Sequence, residues 1–354
     1  MATASAAPPQ ADILAHPARS GHLPAHGTGP LRSAASASAA GTLSGQQIVV
    51  GFGGTGGWQT LAWAVAEAAV TGGRLSVWYV CPPDSLLGQA GRGVPMRTLE
   101  LAAPALSRAV AAARQRLGEQ RVDLVVQSGR VGATLLRAAE HADLLVVGAP
   151  EQLGWAERRS TTHQVVTHAS GPVVVVRPTV TPVEGPFTGN VVIGVDGSEP
   201  ARAALEYGFC YAAAHRRPVA AVHVGAHTAG DLWLDDATDE PHLAAEPADL
   251  ALLHDELEPW RRRYPQVAVR RAIFAGTALQ GLLRAASGAR LVVVGNRGRS
   301  AAVRMVLGSV SHGAVDHAPC PVAVVPATAG RVPAVTGRTE RSEGREGMAK
   351  EARS

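Results

Sequence analysis

LVVVGNRGRSAAVRMVLGSVSHGAV, residues 291–315, runs from an apolar segment through a glycine-containing loop into a predicted helix. The first four residues carry no polar interruption, which predicts a strand covered on both faces. The chain then passes Gly295 and Gly298 before reaching Gly308 and Ser309, where the helix is expected to start. Glycine lets backbone N–H groups approach an anion closely, and a helix N-terminus favours negative charge. The order strand, glycine loop, helix therefore predicts a phosphate cradle.

Two arginines lie in the same loop. Arg297 and Arg299 are placed to neutralise phosphate oxygens. Glycines after a strand also form ordinary turns into a helix, and on the loop alone that alternative stays open. A P-loop of the standard form is excluded, because GxxxxGK[ST] does not occur in the chain.

Composition narrows the classes of protein. A chain of 354 residues can hold two domains of ordinary size. It has no run of 18 apolar residues and no charged leader followed by an apolar segment, so we expect a cytoplasmic protein without a membrane partner. The three cysteines are widely spaced, which favours neither disulfides nor a zinc site. The net charge of +4 is small and scattered, so no nucleic acid partner is expected.

The chain repeats itself. Three pairs of segments match: 48–57 with 191–200, 141–150 with 288–297, and 167–178 with 316–327. In each half strands alternate with helices, which predicts a parallel sheet covered by helices on both faces. The predicted divisions are a disordered tail at 1–44, a first domain at 45–178, a linker at 179–189, a second domain at 190–327 and a disordered tail at 328–354.

A dinucleotide site in the first half is a weaker hypothesis. Gly51, Gly53 and Gly56 satisfy the spacing GxGxxG after a predicted strand. That fingerprint expects an acidic residue at the end of the second strand, and the strand at 74–81 has none. A nicotinamide or flavin cofactor is therefore not favoured.

The two halves differ where a ligand would bind. Asp196 of the second half aligns with Gly53, so the first half lacks this carboxylate. Arg159 aligns with Gly308, and a side chain there would crowd a phosphate approaching the backbone. We expect the first pocket to bind nucleotide poorly or not at all. Asp196 can serve a ligand or cap the next helix, and Ser198 is equally suited to that cap.

The spacing Gly-x2-Gly-x9-Gly-Ser, matched at Gly295, Gly298, Gly308 and Ser309, resembles the nucleotide-binding signature of the ATP-binding branch of the universal stress protein family. The resemblance covers roughly 46–327. It implies an α/β fold of two tandem doubly wound five-stranded parallel sheets, Rossmann-like and similar to the adenine-nucleotide α hydrolases, with strand order 3-2-1-4-5. In such a sheet, ligands bind where the strand order reverses, here between strands one and four.

The resemblance implies that the second half binds ATP, with Mg²⁺ bridging phosphate oxygens. No catalytic residue and no protein-held metal is expected. The nucleotide-binding residues that we predict are Gly194, Val195, Asp196, Gly197, Ser198, Val224, Gly295, Asn296, Arg297, Gly298, Arg299, Gly308, Ser309, Val310 and Ser311.

Three functions stay open. The first is a regulatory, stress-sensing nucleotide-binding protein with slow hydrolysis at most and an unidentified protein partner. The second is a hydrolase or transferase acting on adenine nucleotides, although its SGGxDS pattern is absent. The third is an assembly scaffold. The apolar last strands, 173–176 and 322–325, are expected to join the halves as a pseudo-dimer, and two chains to form a homodimer.

Two further groups of residues receive a structural interpretation. His163 aligns with His312, and His168 with His317. Histidines five residues apart do not share one face of a helix, so we interpret all four as surface or helix-end residues, not metal ligands. The acidic insert at 231–258 is interpreted as a solvated loop or helix face.

Overall fold

The computed structural model describes residues 45–54, 56–85, 87, 95–149, 160–177, 184–225, 230–235, 246–296 and 307–327. Arg159, Arg297, Gly298, Arg299 and both predicted tails lie outside the described residues. Within the described ranges, no helix is long and apolar enough to cross a membrane.

The first half alternates strands and helices in the predicted order. Its strands are β1 (Gln47–Gly51), β2 (Arg74–Cys81), β3 (Val122–Ser128), β4 (Leu144–Gly148) and β5 (Val173–Val176). Its helices are α1 (Gly57–Thr71), α2 (Met96–Ala102), α3 (Pro104–Leu117), α4 (Val131–Ala139) and α5 (Thr161–His168), with a short 3-10 helix at Glu119–Arg121.

The second half repeats this order with one addition. Its strands are β6 (Val191–Gly194), β7 (Val219–Val224), β8 (Leu232–Asp235), β9 (Val269–Phe274), β10 (Leu291–Asn296) and β11 (Val322–Pro326). Its helices are α6 (Glu199–His215), α7 (Pro247–Arg263), α8 (Ala278–Ala286) and α9 (Ser309–His317).

All eleven described strands form one continuous sheet. Their order is β3-β2-β1-β4-β5-β11-β10-β6-β7-β9-β8, so each half has the predicted order 3-2-1-4-5. The halves meet where β5 and β11 pair antiparallel, with Val324 opposite Val173. This pairing confirms the expected intramolecular pseudo-dimer and converts two edge strands into central ones.

The strands are valine-rich because both faces of the sheet are covered. One apolar core lies beneath α1, α2, α3, α6 and α7, and the other beneath α4, α5, α8 and α9. Each core contains residues of both halves, so neither half buries its apolar residues entirely by itself.

The expectation of five strands in the second half is wrong by one strand. β8 pairs antiparallel with β9 at the outer edge, within the insert that was interpreted as a solvated loop or helix face. Asp231 fixes its start, because one carboxylate oxygen accepts from the Ala275 N–H and lies 2.8 Å from Arg284 Nη2. The LWLD sequence of β8 has only four residues and is followed by further acidic residues, so it could not be identified as a strand without that anchor.

Side-chain caps start two helices of the second half. The Ser198 hydroxyl caps α6 by accepting from the Ala201 N–H, and Thr277 caps α8 by accepting from the Gln280 N–H. Of the two candidates, Ser198 and not Asp196 is therefore the cap of α6. Arg261, Arg262 and Arg263 lie in the last turn of α7, where cations complement the helix dipole.

The β5–β11 seam predicts a large effect of a buried charge. In Val324→Asp the carboxylate would face Val173 in the middle of the sheet, so we expect a loss of about 3 kcal/mol or more. Urea unfolding followed by circular dichroism measures it. The control is Val70→Asp on α1, where the side chain is 52% exposed. Equal unfolding midpoints for the two variants would contradict the continuous sheet.

Candidate functional site

A crevice opens in the second half of the sheet, at the point where the order of the strands reverses. β6 is flanked by β7 on one side and β10 on the other, so the connections after β6 and β10 leave on opposite sides. The carboxyl ends of these strands lie together there, at the topological switch point that was predicted. The cavity measures about 160 Å³.

The turn after β6 forms one wall. The Val195 N–H donates to the Val222 carbonyl at 2.8 Å, which extends the strand pairing to the edge of the crevice. Asp196 Oδ1 then accepts from the Ser198 N–H at 3.0 Å and from its hydroxyl at 2.5 Å. Gly197 lies between them with φ +75, a left-handed conformation that glycine adopts without strain. These bonds use only one oxygen of the exposed Asp196 carboxylate.

The first turn of α9 forms the opposite wall. Gly308, Ser309 and Val310 line the crevice, and Gly308 is the N-cap residue. Because Gly308 has no side chain, the helix start receives no side-chain cap there. Ser311 also lines the crevice, but its hydroxyl donates to the Gly295 carbonyl at 2.7 Å. The wall therefore presents backbone N–H groups and the exposed Ser309 hydroxyl.

The floor contains residues that sequence analysis missed. His223 follows Val222 on β7; its Nδ1 lies 2.8 Å from the Val195 carbonyl and its Nε2 3.3 Å from an oxygen of Asp249. Because a carbonyl only accepts, Nδ1 carries the proton. The remaining additional lining residues are Pro200, Ala201, Ala278, Leu282 and Val294. Val294 lies on β10 and the other four lie on α6 and α8, and no glycine or charge pattern connects them to the site.

The structure brings most of the predicted residues together. Gly194, Val195, Asp196, Ser198, Val224, Gly295, Gly308, Ser309, Val310 and Ser311 all line the crevice. Gly197 does not line the crevice, and its contribution is to allow the turn between Asp196 and Ser198.

Asn296 is not brought into the crevice. Its side chain is buried and donates from Nδ2 to the Val166 carbonyl of α5 at 3.0 Å, across the boundary between the halves. The side chain reverses sides after Gly295, because successive residues of a strand point to opposite faces. Asn296 is therefore an interface residue in this structure.

Gly295 has a packing role that the sequence did not show. A Cβ at this position would overlap the carbonyl of Pro200 at the start of α6. Glycine is thus required for helix and strand to approach, whatever binds in the crevice.

The first half has an equivalent crevice with different chemistry. It measures about 710 Å³ and lies between β1 and β4, lined in part by Phe52, Trp78 and Tyr79. None of its described lining residues carries a charge. Its helix α5 is capped internally, because Ser160 Oγ accepts from the His163 N–H at 3.2 Å. The larger space therefore comes with fewer groups that attract an anion.

The cysteines take no part in either crevice. Cys81, Cys210 and Cys320 are buried and free, as the spacing predicts. Burial raises the pKa of the Cys210 thiol to about 11 and that of Cys320 to about 12. Both remain protonated at neutral pH and are poor nucleophiles.

Fold and crevice together define a doubly wound α/β protein with an open crevice at the switch point of its second half. The chain belongs to the universal stress protein family, whose model matches residues 45–177 and 188–326. A universal stress protein of Mycolicibacterium smegmatis is 31% identical over 278 residues, covering 74% of this chain and 90% of that protein.

Solved structures agree on the fold. A universal stress protein from Archaeoglobus fulgidus covers 81% of this chain and 98% of its own, with a TM-score of 0.56 and 16% identity. Another structure of that organism's universal stress protein is a complex with dAMP. It covers 37% of this chain and 96% of its own at 23% identity, and its TM-score of 0.27 is too low to bear on what this chain binds.

Glycine at 295 is testable by a matched pair of substitutions. Gly295→Ala would push the added methyl group into Pro200, so we expect a loss of about 1–3 kcal/mol in the free energy of unfolding. Gly194→Ala is the control, because its Cβ would meet nothing nearer than Leu282 at 3.9 Å. Denaturant unfolding of both variants measures the difference. Equal stability would show that the contact with Pro200 does not require glycine.

Proposed function

We propose that this chain is an adenine-nucleotide-binding regulatory protein that takes ATP in the crevice of its second half. The observation that carries the proposal is that two complementary walls face each other across the crevice. One is the start of α9, which has no side-chain cap. The other is the Asp196 carboxylate, of which only Oδ1 is used by the turn. Phosphate suits the first wall and ribose hydroxyls suit the second.

The orientation of the nucleotide follows from these walls. The triphosphate lies at Gly308 and Ser309, where backbone N–H groups and the helix dipole favour negative charge. The ribose lies at Asp196, and the base lies against Val195 and Val224 at the ends of β6 and β7. Mg²⁺ enters with the phosphates, since the described lining offers one carboxylate. Arg297, Gly298 and Arg299 lie outside the described residues, and their part in phosphate binding is proposed from the sequence alone.

Turnover is expected to be slow or absent. Phosphoryl transfer needs a group that positions the attacking water, together with clamps on the transferred phosphate. The titratable side chains in the described lining are Asp196 and His223, and each already contacts protein partners. The proposed role is therefore to report nucleotide occupancy to a protein partner in the cytoplasm, as a homodimer.

The Gly308 position decides whether the second crevice accepts phosphate. Gly308→Arg copies the residue that the first half has at Arg159, and the side chain would cover the helix start. We expect ATP affinity to fall about 100-fold or more, a loss of about 2.7 kcal/mol. Isothermal titration calorimetry with Mg²⁺ measures affinity and stoichiometry, expected to be one ATP per chain.

Gly53→Arg is the matched control in the first half, where a Cβ meets nothing within 4 Å. It should leave both affinity and stoichiometry unchanged. A stoichiometry of two, or loss of binding in Gly53→Arg, would place nucleotide in the first half as well. Absence of binding by the unaltered chain would favour the scaffold hypothesis.

Asp196 is tested without disturbing its turn. Asp196→Asn keeps the Oδ1 acceptor for Ser198 but removes the charge that a ribose hydroxyl would meet. We expect ATP to bind about 10-fold more weakly, because a hydrogen bond to a charged group contributes about 1.5–3 kcal/mol. The control is Asp123→Asn, an equal change of charge on β3. Unchanged affinity in both variants would remove Asp196 from the site.

A further inference from the structure

Two aligned histidines meet where the halves join. His163 lies on α5 and His312 on α9, and the repeat makes them copies of each other. Their rings lie 4.4 Å apart between centroids. Because the two histidines lie on helices of different halves, the spacing of histidines within one helix does not predict their contact. His163 is also buried, which corrects its interpretation as a surface residue.

A carboxylate completes the group. Asp316 lies one turn after His312 on α9. Its Oδ1 is 2.9 Å from His163 Nε2, and its Oδ2 is 3.2 Å from His312 Nε2. One ligand atom from each of the three residues falls within 4.8 Å of the others. None of the three lines the nucleotide crevice.

The buried Nε2 of His163 is a polar atom of this group whose hydrogen-bonding capacity is unsatisfied. The side chain is 5% exposed, and Nε2 has no hydrogen-bond partner in the described structure despite its short distance to Asp316. The two atoms are close but not aligned for an N–H···O bond. A buried nitrogen without a partner destabilises the fold, so an additional group is expected there.

The other ring nitrogen is already oriented. His163 Nδ1 lies 2.8 Å from Ser160 Oγ. When Nδ1–H donates to that oxygen, Nε2 is unprotonated and offers its lone pair, which is the tautomer that a metal-ligating histidine needs. Ser160 thus favours the tautomer of His163 that can bind a metal ion.

A hydrogen bond from His163 to Asp316 does not complete this group, because Nε2 and Oδ1 lie 2.9 Å apart without hydrogen-bond geometry. A single divalent ion would bind two neutral imidazoles and the carboxylate together.

We propose that His163, His312 and Asp316 form a site for one divalent transition-metal ion, with zinc the best match, that fastens the two halves together. Two imidazoles and a carboxylate suit zinc, whose tetrahedral ligand atoms lie about 3.3 Å apart. The two histidines now approach different oxygens of Asp316, at 2.9 and 3.2 Å, and the three ligand atoms lie within 4.8 Å of one another, so side-chain rotation has to bring them to that spacing. Water takes the fourth position from the side of His312, whose side chain is 36% exposed.

The site should be single. The copy of Asp316 in the first half is Thr167, so the pseudo-two-fold axis generates no second carboxylate. The expected stoichiometry is one ion per chain, with ligands from both halves.

The test is zinc titration of the full-length, tag-free chain after removal of metal by chelation, without nucleotide. Calorimetry should give one zinc per chain, and zinc should raise the unfolding temperature. In His312→Ala and Asp316→Asn, zinc should bind at this site at least about 100-fold more weakly and no longer raise the unfolding temperature. His312 is partly exposed, so its replacement disturbs packing less than replacement of the buried His163 would, and Asp316→Asn keeps the size of the buried side chain.

The matched controls are His317→Ala on the same helix and His168→Ala on α5, both exposed. They should bind zinc as the unaltered chain does. Cobalt absorption in the unaltered chain should show nitrogen and oxygen ligands without a thiolate band. Absence of zinc binding, a thiolate band, or equal binding and equal thermal stabilisation in His312→Ala and Asp316→Asn would overturn the proposal. None of these results depends on whether ATP binds.

Discussion

The antiparallel pairing of β5 with β11 holds the molecule together. Each half alone would end in an apolar strand with an open row of backbone donors and acceptors. Joined, these strands become the centre of one sheet, and helices of both halves cover each face. One crevice lies on each side of this seam, because the strand order of each half reverses between its first and fourth strands.

Polar contacts support the seam on both faces. On one face, Asn296 donates to the Val166 carbonyl, and His163 lies against His312 and Asp316. On the other, Glu67 of α1 lies 2.9 Å from His215 of α6, and both side chains are buried. Such contacts contribute specificity more than stability, since desolvation offsets much of the attraction. They fix the register of two otherwise valine-rich strands.

The repeat duplicates a scaffold while the halves differ in chemistry. Ser160 satisfies its own helix start, whereas Gly308 leaves the N–H groups of the corresponding helix start to other acceptors or to a ligand. Asp196 has only glycine as its counterpart. The proposed anion site and the capped helix start thus differ by a few side chains at equivalent positions of the fold.

Sequence reasoning predicted what local patterns encode. The alternation of strands and helices follows from periodicity and the Ser198 cap from turn chemistry, whereas the strand order and the crevice residues were implied by the resemblance of the glycine motif. It did not predict β8, whose partner is distant in sequence, nor the place of Asn296, which depends on the packing of the other half. The cluster of His163, His312 and Asp316 was invisible for the same reason. Metal ligands contributed by helices of different halves have no characteristic spacing in the sequence.

The asymmetry of the two crevices is the central claim, and a crystal structure of the full chain with Mg²⁺ and a non-hydrolysable ATP analogue tests it most directly. The account predicts one nucleotide per chain, with phosphates at Gly308 and Ser309, ribose at Asp196, and none between β1 and β4. Nucleotide in both crevices, or in the first alone, would contradict it.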